Sequence, residues 1–285
     1  MLHLSALPRG SAAFGVPVGP RSMIAITSRR NASVARYLAA VRGEDRSVVL
    51  LDGLHLVGEA LSAGTPVQHA LVAADAQQSP DVREIIRRLL DTGVIVASAS
   101  AAVMSAVSPV RSRSPVVALA RRPESGPRVF ARRTRPVVIA CDIQDPGNVG
   151  AIVRVAEAGG ASGVVAAGSC ADPFGWKALR GSMGSALRLP LLSASQAAAA
   201  VALARRHRRR ILATVPRGGR PVCEADLAGS FAVLIGGEGP GLSQALIADA
   251  DECVSVPMEP PVESLNSAVT AALIVYEARR QRDRT

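Results

Sequence analysis

The sequence predicts an α/β protein in two units: a small α/β unit, then a larger one built on a mostly parallel sheet. Three observations carry that expectation. Fully apolar runs at 48–51, 137–140 and 231–235 have the length of strands buried on both faces. Segments of helical spacing alternate with such runs, as crossover helices do in a parallel sheet. A Pro-, Gly- and Arg-containing stretch without periodicity, 121–135, separates the two series.

Composition sets the outer limits. The 285 residues are 48% hydrophobic and 20% charged, which excludes wholesale disorder. No apolar run reaches the roughly 18 residues that a transmembrane helix needs. The 33 basic against 23 acidic residues give a net charge of +10. That balance favours a polyanionic partner, nucleic acid ahead of an anionic membrane surface. Lys177 is the one lysine, so the basic residues are nearly all arginine, a bias that a GC-rich genome also produces. Aromatic residues, at 2%, are too few for a surface that stacks many splayed bases. Cys141, Cys170, Cys223 and Cys253 form no CxxC pair, and the histidines form no HExxH. No metal site is expected, and a reducing, cytoplasmic compartment fits best.

In chain order, residues 1–23 are Gly-, Pro-, Ser- and Ala-rich, and no acidic residue precedes Glu44. They read as a variable or disordered extension. Met23 is an alternative start, and an organelle transit peptide is the third reading. Residues 24–120 form the first unit, with strands at 48–51, 70–73, 94–96 and 116–119 and helices at 54–61 and 81–90. In the second helix Ile85, Ile86, Leu89 and Leu90 share a face. Residues 121–135 read as a linker. Residues 136–285 form the second unit, with strands at 137–140, 163–167, 211–215, 231–235 and 253–256. Its helices are expected at 149–159, 195–206, 242–248 and 265–280. In the last of them Val269, Leu273 and Tyr276 recur at helical spacing and are expected to face the core.

Three segments of the second unit are unlike ordinary core. DPGNVGAIVR, 145–154, turns through Pro-Gly into a helix that Asn148 can cap, with Arg154 on an otherwise apolar stretch. FAVLIGGEGPGL, 231–242, carries an apolar strand into a glycine-rich turn holding Glu238. In parallel sheets such turns let backbone approach a ligand closely. The dinucleotide fingerprint fails because Leu242 stands at its third glycine, and no P-loop lysine is present. VSVPMEPPVESLNS, 254–267, exits a strand into a proline-rich loop whose Ser264 or Asn266 can cap the last helix.

In this order the segments resemble the three motifs of the SpoU family of RNA 2′-O-ribose methyltransferases, whose catalytic domain is a knotted α/β fold. The first motif matches at Asp145, Pro146, Asn148, Gly150 and Arg154, and the second at Gly236, Glu238, Gly239 and Gly241. The third matches at Pro257, Met258, Ser264, Leu265 and Asn266. Pro260 stands where relatives often have glycine, and Ser267-Ala268 replaces the usual Val-Ser. The segment Thr27-Ser28-Arg29-Arg30-Asn31 before an amphipathic helix, then the strand at 48–51 and Gly53, resembles the family's substrate-binding domain, a small ribosomal-protein-like fold.

The resemblance implies S-adenosylmethionine as methyl donor, held by Gly236, Gly237, Val256 and Leu265, and no metal. It implies a ribose 2′-hydroxyl of structured RNA as acceptor, 23S-type ribosomal RNA being favoured. The alternatives are a transfer-RNA 2′-O-methyltransferase and a non-catalytic RNA-binding protein of the same fold. Catalytic roles fall to Asn148, Arg154, Glu238, Ser264 and Asn266. A guanidinium rarely gives up its proton, so Arg154 is expected to act as a cation on the developing alkoxide, paired to Glu238. Asn148 and Asn266 would orient the ribose and the loops, with Ser264 hydrogen-bonded among them. Arg29, Arg30, Arg36 and Arg42 are expected to contact RNA phosphates. The arginines of 205–210 divide between a solvated helix end and RNA contact. A homodimer through the catalytic domain and a trefoil knot are also implied.

Overall fold

The computed structural model describes residues 23–284, so the reading of the N-terminal extension lies almost wholly outside the described residues. The first unit runs β1 (Ile24–Ile26), α1 (Ala32–Arg42), β2 (Val48–Asp52), α2 (Leu54–Ser62), β3 (Val67–Ala73), α3 (Pro80–Asp91), β4 (Ile95–Ala99), α4 (Ala101–Val107) and β5 (Val116–Arg121). Its sheet has the order β1-β4-β3-β5-β2, with β5 antiparallel to both neighbours and the other pairs parallel. Alternation along each strand feeds two cores. Leu51, Ala70 and Val72 meet α2 and α3 on one face, and Leu50, Leu71 and Leu119 meet α1 and α4 on the other.

The second unit contains β6 (Val137–Cys141), α5 (Pro146–Ala158), β7 (Gly163–Ala167), α6 (Trp176–Ser182), β8 (Leu191–Ala194), α7 (Ala197–Arg206), β9 (Arg210–Thr214), β10 (Arg220–Pro221), β11 (Phe231–Gly236), α8 (Gln244–Asp249), β12 (Glu252–Ser255) and α9 (Ser267–Arg282). Its seven strands take the order β10-β12-β9-β11-β6-β7-β8, every pair parallel. From β6 the chain steps outward through β7 to β8, and β9 then crosses to the other half of the sheet. Such a reversal opens a crevice at the carboxyl ends of the strands. Val138, Ala140 and Val233 face α5, α6 and α9, whereas Ile139, Ala213 and Leu234 face α7.

Short strands buried on both faces left little ambiguity, and every strand expected from the sequence is present. The sequence reading did not assign β1, α4, α6, β8 or β10. The expected linker is largely packed structure. Its first residue ends β5, residues 127–130 form a 3₁₀ turn, and Val129 and Phe130 are buried against the second sheet. The two units also share one continuous apolar cluster, joining Leu51 and Val57 to Leu179 and Leu187. Around it, Arg122 forms a bidentate pair with Asp172 at 2.7 and 2.8 Å, and Arg188 pairs with Glu59 and Glu157. Arg180 reaches the buried Asp52 at 3.5 Å, and Asp52 also accepts from Ser108 Oγ at 3.1 Å.

The apolar stripe of α9 is a correction. Val269, Leu273 and Tyr276 are 47%, 42% and 48% exposed, whereas Ala271, Ile274, Val275 and Ala278 are buried. The helix is apolar on more than one side, and its small-residue side lies against α5. At that crossing a Cβ on Gly159 would come within 2.3 Å of Val275 Cγ1. A comparable contact, here against backbone, lies nearby, where a Cβ on Gly150 would stand 2.4 Å from the Ala178 carbonyl oxygen. Glycine there lets α5 and α6 cross almost backbone to backbone.

Candidate active site at the carboxyl ends of the strands

A cavity of about 530 Å³ opens where β9, β11 and β12 end. The loops after β11 and β12 line it, and the start of α5, outside the lining, meets them at its edge. The loop after β6 enters α5 with Asp145 as the cap, its Oδ1 accepting from the Asn148 amide at 2.7 Å, and with Pro146 at the first helical position. This corrects the expectation that Asn148 caps the helix. Asp followed by Pro suits the cap and first positions better, and the Asn148 side chain is left available to the site.

The loop after β11 folds back on itself through a bridge between Gly237 and Gly241. Gly236 and Gly237 are required by this packing. A Cβ on Gly236 would lie 2.6 Å from the Gly241 carbonyl carbon, and one on Gly237 would lie 2.5 Å from the Asp142 carbonyl oxygen. Asp142 itself has φ 56° and accepts from the Ser169 amide at 2.8 Å. It thereby fixes the turn against which the glycine loop rests. Sequence reasoning missed Asp142, because a non-glycine residue in left-handed backbone leaves no pattern in composition.

The third loop leads from β12 into α9. Asn266 caps the helix, its Oδ1 accepting from Ala268 N at 2.9 Å and Val269 N at 3.3 Å. Its Nδ2 donates to Asn148 Oδ1 at 3.0 Å and lies 3.4 Å from Glu238 Oε1. Asn148 Nδ2 in turn donates to the same Glu238 oxygen at 2.5 Å. One residue from the first turn of α5 and one from each of the two lining loops thus join a single hydrogen-bonded set at the cavity mouth.

Gly236, Gly237, Glu238, Val256, Ser264, Leu265 and Asn266 all line the cavity, beside Thr214, Leu242 and Met258. Ser264 lines it without joining the hydrogen-bonded set. Arg154 is not among the lining residues. It lies exposed on α5 with no ion pair or hydrogen bond among the described residues, so the expected Arg154–Glu238 pair is not formed within the chain. The two asparagines occupy Glu238 instead. Among the described residues lining the cavity, Glu238 is the one charged side chain. No group of His, Cys, Asp and Glu able to hold a metal occurs among the described residues.

The arginines expected at RNA sit on the first unit, and three of the four engage their own chain. Arg29 donates to the Ala102 carbonyl at 3.0 Å, Arg36 to Gln68 Oε1 at 2.9 Å, and Arg42 pairs with Glu44 at 2.6 Å. Arg30 is exposed, and its side chain makes no such contact among the described residues.

A parallel α/β sheet with a glycine-turned crevice at its switch point, closed by three asparagine- and glutamate-bearing loops, defines the class. Residues 135–276 match the model of the SpoU rRNA Methylase family. The chain is 32% identical over 230 residues to the 23S rRNA (guanosine(2553)-2′-O)-methyltransferase RlmP of Bacillus subtilis, covering 81% of this chain and 88% of that one. It is 30% identical over 267 residues to the 23S rRNA (uridine(2479)-2′-O)-methyltransferase of Streptomyces viridochromogenes, covering 90% and 92%. Among solved structures, the SpoU methyltransferase AviRb of S. viridochromogenes in complex with AdoMet superposes with a TM-score of 0.79 at 28% identity, covering 89% of this chain and 99% of that one. The chain belongs to the SpoU family.

Proposed function

We propose that this protein transfers the methyl group of S-adenosylmethionine to a ribose 2′-hydroxyl of ribosomal RNA, with 23S-type RNA the favoured target. The observation that carries this reading is the Asn148–Glu238–Asn266 set at the mouth of the cavity. The two relatives reported above are named for the same reaction on 23S rRNA.

The cavity suits such a donor. Its volume falls within the about 300–1,000 Å³ of small-molecule sites. Ile235, Leu242 and Met258 offer apolar walls to an adenine, and main-chain groups of Gly236, Gly237, Val256 and Leu265 would hold its polar edge. A lining whose one charge is the Glu238 carboxylate also complements a cationic sulfonium. When bound, the cofactor supplies an electrophilic methyl group.

The chain's own residues do the rest. Asn148 and Asn266 lock Glu238 and the three loops into one geometry, the positioning that in-line transfer requires. Arg154 would orient and stabilise the developing alkoxide or the phosphate beside it. Because Arg154 stands outside its own chain's cavity, its use there calls for a second subunit. The exposed Val269, Leu273 and Tyr276 supply an apolar face on α9, which packs against the helix that carries Arg154. Both features support a homodimer of twofold symmetry, the commonest arrangement. A C-terminal segment threaded beneath the glycine loop, making a trefoil knot, belongs to the same reading. So do a cytoplasmic location and a first unit that acts as the RNA-binding domain. No helix among the described residues is long and apolar enough to cross a membrane.

The test is ribose-methylation mapping of RNA from a deletion strain, with purified protein and 23S transcript supplied in reconstitution. One 2′-O-methyl mark should vanish and be restored. Loss of a transfer-RNA mark instead would move the substrate, and no lost mark would remove the catalytic reading.

A further inference from the structure

Five exposed arginines gather at the end of the second sheet opposite the cavity. Arg128, Arg132 and Arg133 lie on the turn before β6, and Arg206 and Arg208 lie at the approach to β9. None makes a side-chain ion pair or hydrogen bond among the described residues. Their arginine neighbours are already engaged: Arg205 with Asp251 at 3.0 Å, and Arg210 with Glu252 at 3.6 Å.

The two segments form one built surface. His207 stacks on Phe130 with ring centroids 4.6 Å apart and planes 7° from parallel. Beneath them Arg209, 3% exposed, donates to the carbonyls of Phe130, Arg132, Arg133 and Arg135 at 2.7–3.0 Å. A buried guanidinium thus turns four carbonyls inward and leaves the neighbouring side chains outward. Beside this surface runs a groove of about 450 Å³ lined by Arg128, Arg132 and Arg188, with Glu124 as its acid. Arg188 is neutralised by Glu59 and Glu157, so the unpaired charge is on the rim.

We infer that this amino-end surface is a second RNA-docking site, which grips the phosphate backbone of a segment flanking the methylated nucleotide. Several like charges held close without counter-charges are costly in a free protein and become favourable when a polyanion displaces their counterions. Planar guanidinium forks suit phosphate oxygens, and the scarcity of exposed aromatics suits backbone contact over base stacking. Strands of five residues at about 3.3 Å each place the surface about 17 Å or more from the cavity. The segment held there is therefore remote from the acceptor ribose, as a large folded RNA permits.

This inference rests on the proposed methyl transfer to ribosomal RNA, and its test separates the two. A full-length variant carrying Arg128→Ala, Arg132→Ala, Arg206→Ala and Arg208→Ala is compared with the unaltered chain on 23S transcript over a range of salt. The slope of log affinity against log salt should fall by roughly 0.7–0.9 for each lost phosphate contact. The KM for RNA should rise about tenfold or more, with kcat at saturating RNA and affinity for S-adenosylmethionine unchanged. Arg83→Ala, an exposed arginine on α3 and so across the first sheet from α1 and the arginines assigned to RNA there, is the charge control and should leave the slope within error. An unchanged slope and KM in the fourfold variant, while the unaltered chain methylates the transcript, would overturn this inference alone. An equal effect per charge from Arg83→Ala would overturn it as well. Failure of the unaltered chain to bind or methylate RNA would remove both readings.

Discussion

Asn266 Nδ2 lies 3.0 Å from Asn148 Oδ1 across 118 residues of sequence, while its own Oδ1 caps α9. One amide therefore ties the start of the last helix to the start of α5, and both atoms of its carboxamide are in use. Asn266→Asp keeps a cap oxygen of equal quality, because Asn and Asp serve nearly alike at that position. It also replaces the donor facing Glu238 with a second carboxylate. The melting temperature should stay within a few degrees while methyl transfer falls on the order of 10²-fold. Parallel loss of fold and activity would show that the cap, rather than the link to Asn148 and Glu238, is what matters.

Arg154→Ala should abolish methyl transfer and leave S-adenosylmethionine affinity within a few-fold, since Arg154 does not line the cavity. Arg154→Lys should fail too, because a point charge does not reproduce the planar fork. Isothermal titration beside a single-turnover assay separates the two effects. Near-normal turnover by the lysine variant would count against the assigned role.

Leu273→Glu on the exposed face of α9 should convert a dimer to a monomer by light scattering and remove activity. Because the position is 42% exposed, the subunit's own fold should lose no more than about 0.5 kcal/mol. Mixing this variant with Arg154→Ala chains should restore little activity if the interface itself is lost. An unaltered chain that is already monomeric and fully active would end the dimer reading.

Asp52→Ala should destabilise the protein by about 1–3 kcal/mol, because it strands a buried Ser108 hydroxyl and removes the carboxylate facing Arg180. Denaturant unfolding measures this directly. Asp52→Asn, which still offers Ser108 an acceptor, should lose less. Equal losses would mean that the charge toward Arg180, and not the Ser108 bond, dominates.

The inner strands of the second sheet were legible because burial on both faces leaves an unbroken apolar run such as 231–235, whereas its edge strands β8 and β10 were not. The elements missed are those whose stability comes from neighbours. Helix α6, WKALRGS, has no apolar periodicity of its own and is held between α5 and the first unit. The motif loops located the site, since glycine, proline and cap residues act locally. Side-chain pairing did not follow in the same way. Whether Glu238 meets Arg154 or Asn148 depends on how three loops close, which no single segment encodes. The stripe on α9 failed for a related reason: periodicity marks an apolar face without saying whether the chain itself or another body covers it.

The contact at Gly150 has a mechanical consequence. Helix α5 bears Asn148 in its first turn, and α6, crossing it at Gly150, carries the Arg180 that reaches Asp52 of the first unit. With no side chain between them, the two backbones bear directly on each other at the crossing. Gly150→Ala would wedge the helices apart and swing the first unit about that pivot. The angle at which a bound RNA is presented to the cavity would then be set by the absence of one methyl group.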